Sequence, residues 1–253
     1  MSANRYNALE MNIMKFYFGI VVVVSSLAIL TSCNSNCVRG SGDIVTRQIE
    51  LEQINGLVAY GSFEVNIKQG AQQEITATGH ANVIDLLRKK VNDGIWHIDF
   101  KADCVSNLDL IINITVPDIE EVTMVGSGNI NVEDFENQQT VNFEVAGSGA
   151  LTLKSLDCNV LNTKIDGSGS IKVKEGWVLT PVYNTIVKGS GAIESYLVIS
   201  DDCNAEVVGS GLIELTVNKT LDAIIDGSGR INYKGNPNVT KKISGSGSVN
   251  NKN

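Results

Sequence analysis

The sequence is poor in basic, aromatic, histidine and proline residues. Its 253 residues include 20 Lys and Arg against 28 Asp and Glu, 2 His, 3 Pro and 6% aromatic residues, with a net charge of −8. Such a chain has few side chains that could neutralise phosphates, so we expect no nucleic-acid partner. Neither His80 nor His97 has a cysteine or carboxylate beside it at metal-ligand spacing, so no metal and no cofactor are expected.

Glycine and aliphatic residues, in contrast, are abundant. The chain has 24 Gly, and 43% of its residues are hydrophobic, which is enough to bury a core and excludes global disorder. Many Ile, Val, Ser and Gly residues beside few aromatic ones favour short strands joined by tight turns over a helical bundle. We therefore predict an all-β chain.

The N-terminus carries an apolar run, residues 16–30, that follows Lys15. The run is short and has no basic flank on its far side, which predicts a secretory signal peptide instead of a membrane span. It ends in Leu30-Thr31-Ser32-Cys33, which resembles the lipobox of bacterial lipoproteins. The resemblance implies a lipoprotein signal peptide over 1–32, lipidation of Cys33 and a lipidated tether over 33–42. We expect an outer-membrane lipoprotein of the cell envelope, held to the membrane through Cys33, and leave open whether it faces the surface or the periplasm.

A Gly-Ser-Gly triplet recurs in the second half of the chain in steps of 18 to 22 residues. Its copies begin at Gly126, Gly147, Gly167, Gly189, Gly209, Gly227 and Gly245. Another copy begins at Gly40, and a degenerate copy, Gly61-Ser62-Phe63, precedes Gly126 by 65 residues, close to three further periods. The repeat is therefore expected to span nearly all of the mature chain.

Four positions of the repeat are nearly uniformly apolar: two and six residues before the first glycine, and four and six residues after it. Polar residues separate the last two, so the period is two and each segment is a strand with one buried face. A coil of about 20 residues is too short for a propeller blade and lacks the helix of a leucine-rich repeat. We predict a right-handed, single-stranded parallel β-helix, because the paired alternation does not fit a left-handed hexapeptide helix.

Residues 43–253 are expected to form one continuous domain in two parts. Residues 43–118 are an irregular N-terminal β region or cap, with a short helix predicted over 81–91. Residues 119–253 are the regular Gly-Ser-Gly coils and a C-terminal cap, because an uncapped β-helix exposes strand edges.

The serines of the triplets form one column of candidate site residues. If the alternation runs unbroken through the triplet, their hydroxyl groups face outward, and if the bend resets it they face inward. The column is either a structural hydroxyl ladder or a ligand-facing row. Its members are Ser127, Ser148, Ser168, Ser190, Ser210, Ser228 and Ser246.

The chain has four cysteines besides Cys33, an even number, and disulfides form in exported proteins. Cys203 falls in a buried column and Cys158 lies two coils away, about 9.6 Å, which is too far for a disulfide. We predict no bond between these two, and Cys37 with Cys104 remains open.

The lipobox, the Asp-Gly-Ser-Gly-Ser-Ile and Asp-Gly-Ser-Gly-Arg-Ile copies and the closing segment from Tyr233 to Gly247 together resemble a known family. The chain is similar, over about residues 44–250, to the putative auto-transporter adhesin, head GIN domain family of Bacteroidetes lipoproteins, formerly a domain of unknown function. The resemblance implies a pectin-lyase-like β-helix and a role in adhesion, and it brings no catalytic residues.

Three functions follow as alternatives. The first is a non-enzymatic, lipid-anchored adhesin-like binding or scaffold module, whose partner is a host or cell-surface protein or glycan. The second is a glycan-binding or glycan-cleaving β-helix, and the third is a periplasmic structural lipoprotein. The sequence leaves the oligomeric state open.

Overall fold

The Gly-Ser-Gly period builds a stack of parallel coils. The computed structural model describes residues 37–253, which form one compact unit, and Cys33 and the signal peptide lie outside the described residues. The strands are β1 (Val38–Arg39), β2 (Ile44–Gln48), β3 (Gly56–Gly61), β4 (Glu64–Gln69), β5 (Glu74–His80), β6 (Val91–Asn92), β7 (Ile95–Ile98), β8 (Val105–Ser106), β9 (Ile111–Val116), β10 (Glu121–Gly126), β11 (Asn129–Val132), β12 (Phe135–Gly147), β13 (Ala150–Leu153), β14 (Leu156–Gly167), β15 (Ser170–Val173), β16 (Val178–Gly189), β17 (Ala192–Gly209), β18 (Leu212–Gly227), β19 (Arg230–Lys234), β20 (Asn238–Gly245) and β21 (Ser248–Asn251), and helix α1 is Ala81–Ile84.

The first glycines of the triplets pair in register from one coil to the next. Gly61 pairs with Gly126 in a parallel ladder, and the register continues without a break to Gly245. The predicted apolar columns lie inside. Four residues after the first glycine, the column is almost fully buried at Ile130, Leu151, Ile171, Ile193, Ile213 and Ile231. The predicted all-β fold of stacked parallel coils about 20 residues apart is confirmed.

The N-terminal region departs from the expected three further periods. Because β10 pairs directly with β3, the 65-residue step is one coil plus an insertion. The insertion supplies the next layer of the stack, on the side of β3 and β4 away from β10 and β11. There β7 pairs with β3 and β9 pairs with β4, both in parallel. The local sequence pattern does not predict this arrangement, because the partners of β3 and β4 lie far away in the sequence.

The helix predicted over 81–91 is shorter than expected. It ends at Ile84, and Leu87 instead forms a β-bridge with Phe100. Val91 begins a hairpin in which Asp93 and Gly94 both have positive φ, the conformation of a two-residue type I′ turn. Pairing with residues 95–100 therefore replaces the last part of the predicted helix.

Antiparallel strands cover one end of the stack. Strand β5 pairs with β9, and β2 pairs with β5, so this cap changes strand direction at the end of the parallel ladder. A disulfide joins Cys37 to Cys104 next to the short β1–β8 pair, while Cys158 and Cys203 are buried free thiols, as predicted for that pair. Among residues 37–253, no helix is long and apolar enough to cross a membrane.

The other end of the stack is a full coil. Strands β20 and β21 pair in register with β18 and β19, so the segment predicted as a C-terminal cap continues the ladder. Lys241 pairs with Ala223 and continues the inward-facing column that holds Phe143 five coils earlier, but at the end of the stack its side chain is exposed. A charged side chain at such a position discourages further strand pairing at an edge.

Candidate binding groove

The triplet serines face solvent at every coil. All seven side chains are exposed, and among residues 37–253 no hydrogen bond joins their hydroxyl groups to one another. The first glycine of each triplet has a positive φ, for example +130° at Gly167, where an added Cβ would lie 2.4 Å from the carbonyl oxygen of Gly147. The second glycine is buried in every triplet but the last, and at Gly169 an added Cβ would lie 2.5 Å from Val145 Cγ1. The triplet is therefore demanded by backbone geometry and close stacking.

A second polar column, which the sequence analysis missed, lies five residues before the first glycine. Four consecutive coils place asparagine there: Asn142, Asn162, Asn184 and Asn204. Each amide donates to the one before it, with Asn162, Asn184 and Asn204 Nδ2 each 2.8 Å from the preceding Oδ1. Asn142 Nδ2 closes the ladder on the carbonyl oxygen of Glu120 at 3.0 Å.

This amide ladder lines a surface groove of about 570 Å³, called here the asparagine groove. Side chains alternate between the core and the surface along β12, β14, β16 and β17. The residues before and after each asparagine are buried, so the asparagine side chains point outward. The groove is lined by Glu121, Thr123, Asn142, Phe143, Glu144, Asn162, Thr163, Lys164, Asn184, Thr185, Ile186, Asn204, Ala205, Glu206, Asp222 and Ile224.

Carboxylates extend the amide column at both ends. Glu121 pairs in register with Asn142, and Asp222 pairs with Asn204, so each occupies the next rung of the same column. Two further carboxylates, Glu144 and Glu206, lie in the neighbouring outward column. Only Glu144 is neutralised within the groove, by Lys164, whose Nζ lies 2.6 Å from Glu144 Oε1. The groove is therefore net acidic.

Apolar side chains occupy the remaining outward rungs beside the ladder. Ile186 and Ile224 share the column of Glu144 and Glu206, and Ile224 is 43% exposed. The groove thus combines oriented amides, carboxylates and small aliphatic surfaces. Ligand sites have this composition, in which polar groups orient the ligand and apolar surface contacts it.

A shorter amide ladder lies on a different face. Asn66 Nδ2 donates to Asn113 Oδ1 at 3.2 Å, and Asn131 Nδ2 donates to Asn66 Oδ1 at 2.9 Å. None of these three residues lines the asparagine groove. The two ladders have the same chemistry on different surfaces, so the second one provides a matched control for the first.

The two histidines do not meet. His80 lies in the cap, where Nδ1 is 2.9 Å from the carbonyl oxygen of Gly42 and Nε2 is 3.5 Å from Asp109 Oδ2. His97 stacks on Tyr60, with ring centroids 6.2 Å apart. Within the described part of the chain, no group of three or more His, Cys, Asp or Glu could hold a metal ion.

The reactive groups of the core are sequestered. Burial raises the pKa of the Cys158 thiol to about 11, and it raises the pKa of the Cys203 thiol as well. Burial also raises the pKa of Tyr183, which is fully buried. The Tyr183 hydroxyl lies 3.1 Å from Thr163 Oγ1 and donates to Ser195 Oγ at 3.2 Å, so a polar network sits inside the aliphatic core. Neutral, inaccessible thiols make poor nucleophiles.

Solved structures share this fold over nearly their whole length. A crystal structure of a putative adhesin from Bacteroides fragilis has 24% sequence identity and a TM-score of 0.77, and the match covers 85% of this chain and 99% of that one. A putative lipid binding protein from Parabacteroides distasonis has 24% identity and a TM-score of 0.71, covering 86% and 100%. A putative adhesin from Parabacteroides merdae has 23% identity and a TM-score of 0.67, covering 85% and 99%.

At these identities the structural likeness establishes the fold. A search of curated proteins found no match to this chain. The family described as "Putative auto-transporter adhesin, head GIN domain" matches residues 53–237, which is most of the chain. The chain therefore belongs to this adhesin-head family.

Proposed function

We propose that the chain is a non-enzymatic, adhesin-like binding module of the cell envelope, with the asparagine groove as its binding surface. One observation carries the proposal: four coils in succession present a hydrogen-bonded amide at the same outward position of a groove. Amide ladders also stabilise stacking outside the groove, as the Asn66, Asn113 and Asn131 ladder does, so the binding role rests on the concave surface in which the four amides align. The adhesin-head family supports a binding role.

The geometry favours binding over bond cleavage. The ladder fixes each amide against its neighbours, which supplies preorganised donors and acceptors for a ligand. The carboxylates at its two ends, Glu121 and Asp222, are five coils apart, about 24 Å, which is far beyond the separation of an acid and base pair in a glycosidase. Glu206 and Asp222 lie closer, as diagonal neighbours on adjacent coils, but neither side chain is buried, and burial is what sets the acid of such a pair apart from the base. Glu144 is already paired with Lys164.

The envelope location rests on the N-terminal motif. In this proposal the lipid on Cys33 anchors the chain, and Cys37, four residues later, is tied to Cys104 in the cap. A net charge of −8 gives little attraction to an anionic membrane surface, which leaves the lipid as the means of attachment. The name of the Parabacteroides distasonis relative raises lipid binding as a second candidate, but an acyl chain would cover the amides and carboxylates of the asparagine groove without offering them a hydrogen bond.

Adhesion of living cells tests the proposal. A deletion strain of the source organism is complemented with the wild-type chain, with an Asn162→Ala, Asn184→Ala double variant of the groove, or with an Asn66→Ala, Asn131→Ala double variant of the other face. Adhesion to mucin-coated and matrix-protein-coated surfaces is then counted at equal chain levels.

We expect the groove variant to fall to the level of the deletion strain and the other-face variant to match the wild type. Equal adhesion of the deletion strain and the wild type would refute the adhesin role. Equal loss in both double variants would show that the groove is not the binding surface.

A further inference from the structure

We propose that the asparagine groove holds an extended oligosaccharide chain without anionic groups, aligned with the axis of the coils so that successive sugars face successive rungs. This inference rests on the proposed function, since it names the ligand class of that same groove. It is carried by the hydrogen-bonding capacity left over on the ladder, by the spacing of the rungs and by the charge of the groove.

Each inner rung has one donor and one acceptor site to spare. A side-chain amide has two N–H donors and an oxygen with two lone pairs. Asn162 and Asn184 each use one N–H and accept one hydrogen bond within the ladder. A donor and an acceptor therefore recur side by side at every coil. Hydroxyl groups, which both donate and accept, complement such a row.

The spacing of the rungs selects the type of polymer. Neighbouring coils are about 4.8 Å apart, so the free amide groups repeat at that distance. An extended peptide presents groups on one side only at every second residue, about 6.7 Å, and loses register with the amides within a few rungs. A pyranose ring in a β-linked chain is about as long as one coil step. Successive sugars of a 1,4-linked chain turn opposite edges to the groove, but both edges carry oxygen atoms that form hydrogen bonds, so a glycan can keep one sugar opposite each rung.

The charge of the groove excludes anionic chains. Its lining holds four carboxylates, on Glu121, Glu144, Glu206 and Asp222, against the single ammonium group of Lys164. A uronate or sulfated chain would bring further negative charge beside these carboxylates, and this repulsion costs free energy that a neutral chain does not lose. Carboxylates do accept hydrogen bonds from neutral hydroxyl groups, and at the two ends of the ladder Glu121 and Asp222 extend the row of acceptors.

The aliphatic rungs contact the C–H faces of the sugars. Ile186 and Ile224 lie two coils apart beside the ladder. The lining has no exposed aromatic platform, because its one aromatic residue, Phe143, is 1% exposed. Each sugar is therefore held weakly, and useful affinity requires several rungs at once. Affinity should consequently rise steeply with chain length up to about six sugars, one for each rung from Glu121 to Asp222.

Isothermal titration calorimetry on the mature chain tests this inference. The probes are the disaccharides, tetrasaccharides and hexasaccharides of β-1,4-linked glucose, mannose, xylose and N-acetylglucosamine, together with hexagalacturonate and hexalysine. The Asn162→Ala, Asn184→Ala groove variant and the Asn66→Ala, Asn131→Ala variant of the other face are titrated in parallel, with thermal unfolding to verify that both are folded.

We expect at least one neutral hexasaccharide to bind, with a tenfold or greater loss for its tetrasaccharide and no measurable binding of hexagalacturonate at the same concentration. The groove variant should lose at least tenfold in affinity, and the other-face variant should stay within twofold of the wild type. Absence of binding by every neutral hexasaccharide at millimolar concentration would overturn the inference. So would stronger binding of hexagalacturonate or of hexalysine than of any neutral chain, or equal affinity in the groove variant.

The adhesion assay separates this inference from the proposed function. If the groove variant loses adhesion while no neutral glycan binds, the groove is a binding surface for another class of ligand and the glycan inference alone is refuted. Release of shorter sugars from a bound hexasaccharide would refute the non-enzymatic proposal and leave the ligand class in place.

Discussion

The first glycine of the triplet should be the least replaceable residue of each coil. At Gly167, φ is +130°, and an added Cβ would lie 2.4 Å from the carbonyl oxygen of Gly147 and 3.2 Å from its carbonyl carbon. That oxygen accepts the hydrogen bond of the Ser168 amide at 2.9 Å, so it cannot move away without weakening the ladder. Gly167→Ala therefore strains φ and forces two coils apart.

The size of the effect follows from these two contributions. A residue with a side chain at such a φ costs about 1–3 kcal/mol. The enforced shift of the coil adds to this, and a total loss of about 3 kcal/mol or more in the free energy of unfolding is expected. Ser168→Ala is the matched control, because Ser168 is exposed and its hydroxyl group makes no hydrogen bond. That change should stay within about 0.5 kcal/mol of the wild type.

Urea unfolding of the mature chain, followed by circular dichroism, measures both variants. We expect a large loss for Gly167→Ala and almost none for Ser168→Ala. A Gly167→Ala variant as stable as the wild type would refute the argument that backbone stacking dictates the triplet. A loss in Ser168→Ala equal to that of Gly167→Ala would show instead that the hydroxyl column stabilises the stack.

Four further predictions concern the core and the ends of the stack. Cys104→Ser should lower the free energy of unfolding by about 4 kcal/mol, since its bond to Cys37 closes a loop of 67 residues, and thermal unfolding with and without reductant measures this. Tyr183→Phe should cost about 1–3 kcal/mol in urea unfolding, because it removes one hydrogen bond from each of the buried hydroxyl groups of Thr163 and Ser195. Stability should fall as the pH rises from about 9 to about 11, because the Cys158 thiol, with its pKa raised to about 11 in the folded chain, stays protonated where the unfolded chain ionises. Lys241→Val should increase the mean mass in light scattering, because it removes the charge from the last rung of an interior column.

Each of these predictions has a result that contradicts it. Equal unfolding temperatures of the wild-type and Cys104→Ser chains would show that closing this loop does not stabilise the fold. A neutral Tyr183→Phe change would mean that the buried network rearranges to satisfy its members. A flat pH profile up to pH 11 would contradict burial of Cys158, and an unchanged mass of the Lys241→Val chain would show that Lys241 does not protect the edge.

The regular half of the fold could be predicted because every coil has apolar residues at the same positions. Residues such as Ile130 and Leu151 recur at one phase, so the buried face and the direction of stacking are visible in the sequence. The irregular region lacks this signal. Strand β3 is contacted on one side by β10 and on the other by β7, and no local pattern distinguishes those two partners.

The candidate site was harder to predict than the fold. The buried columns predict the fold but say nothing of the outward positions. Four successive triplets nevertheless have asparagine at the same position, at Asn142, Asn162, Asn184 and Asn204. The signal was therefore present at five residues before each first glycine. What the sequence could not supply is the concave surface that brings the amides together with Glu206 and Ile224, because that surface depends on how the coil bends.

Protease treatment of intact source cells tests the central proposal, an envelope adhesin, most directly. The chain is detected by immunoblot after digestion, with a periplasmic lipoprotein as the control for leakage and with digestion after lysis as the control for protease resistance. We expect the chain to disappear from intact cells while the periplasmic control survives. A chain that survives on intact cells and is digested after lysis would place it in the periplasm and contradict the adhesin role.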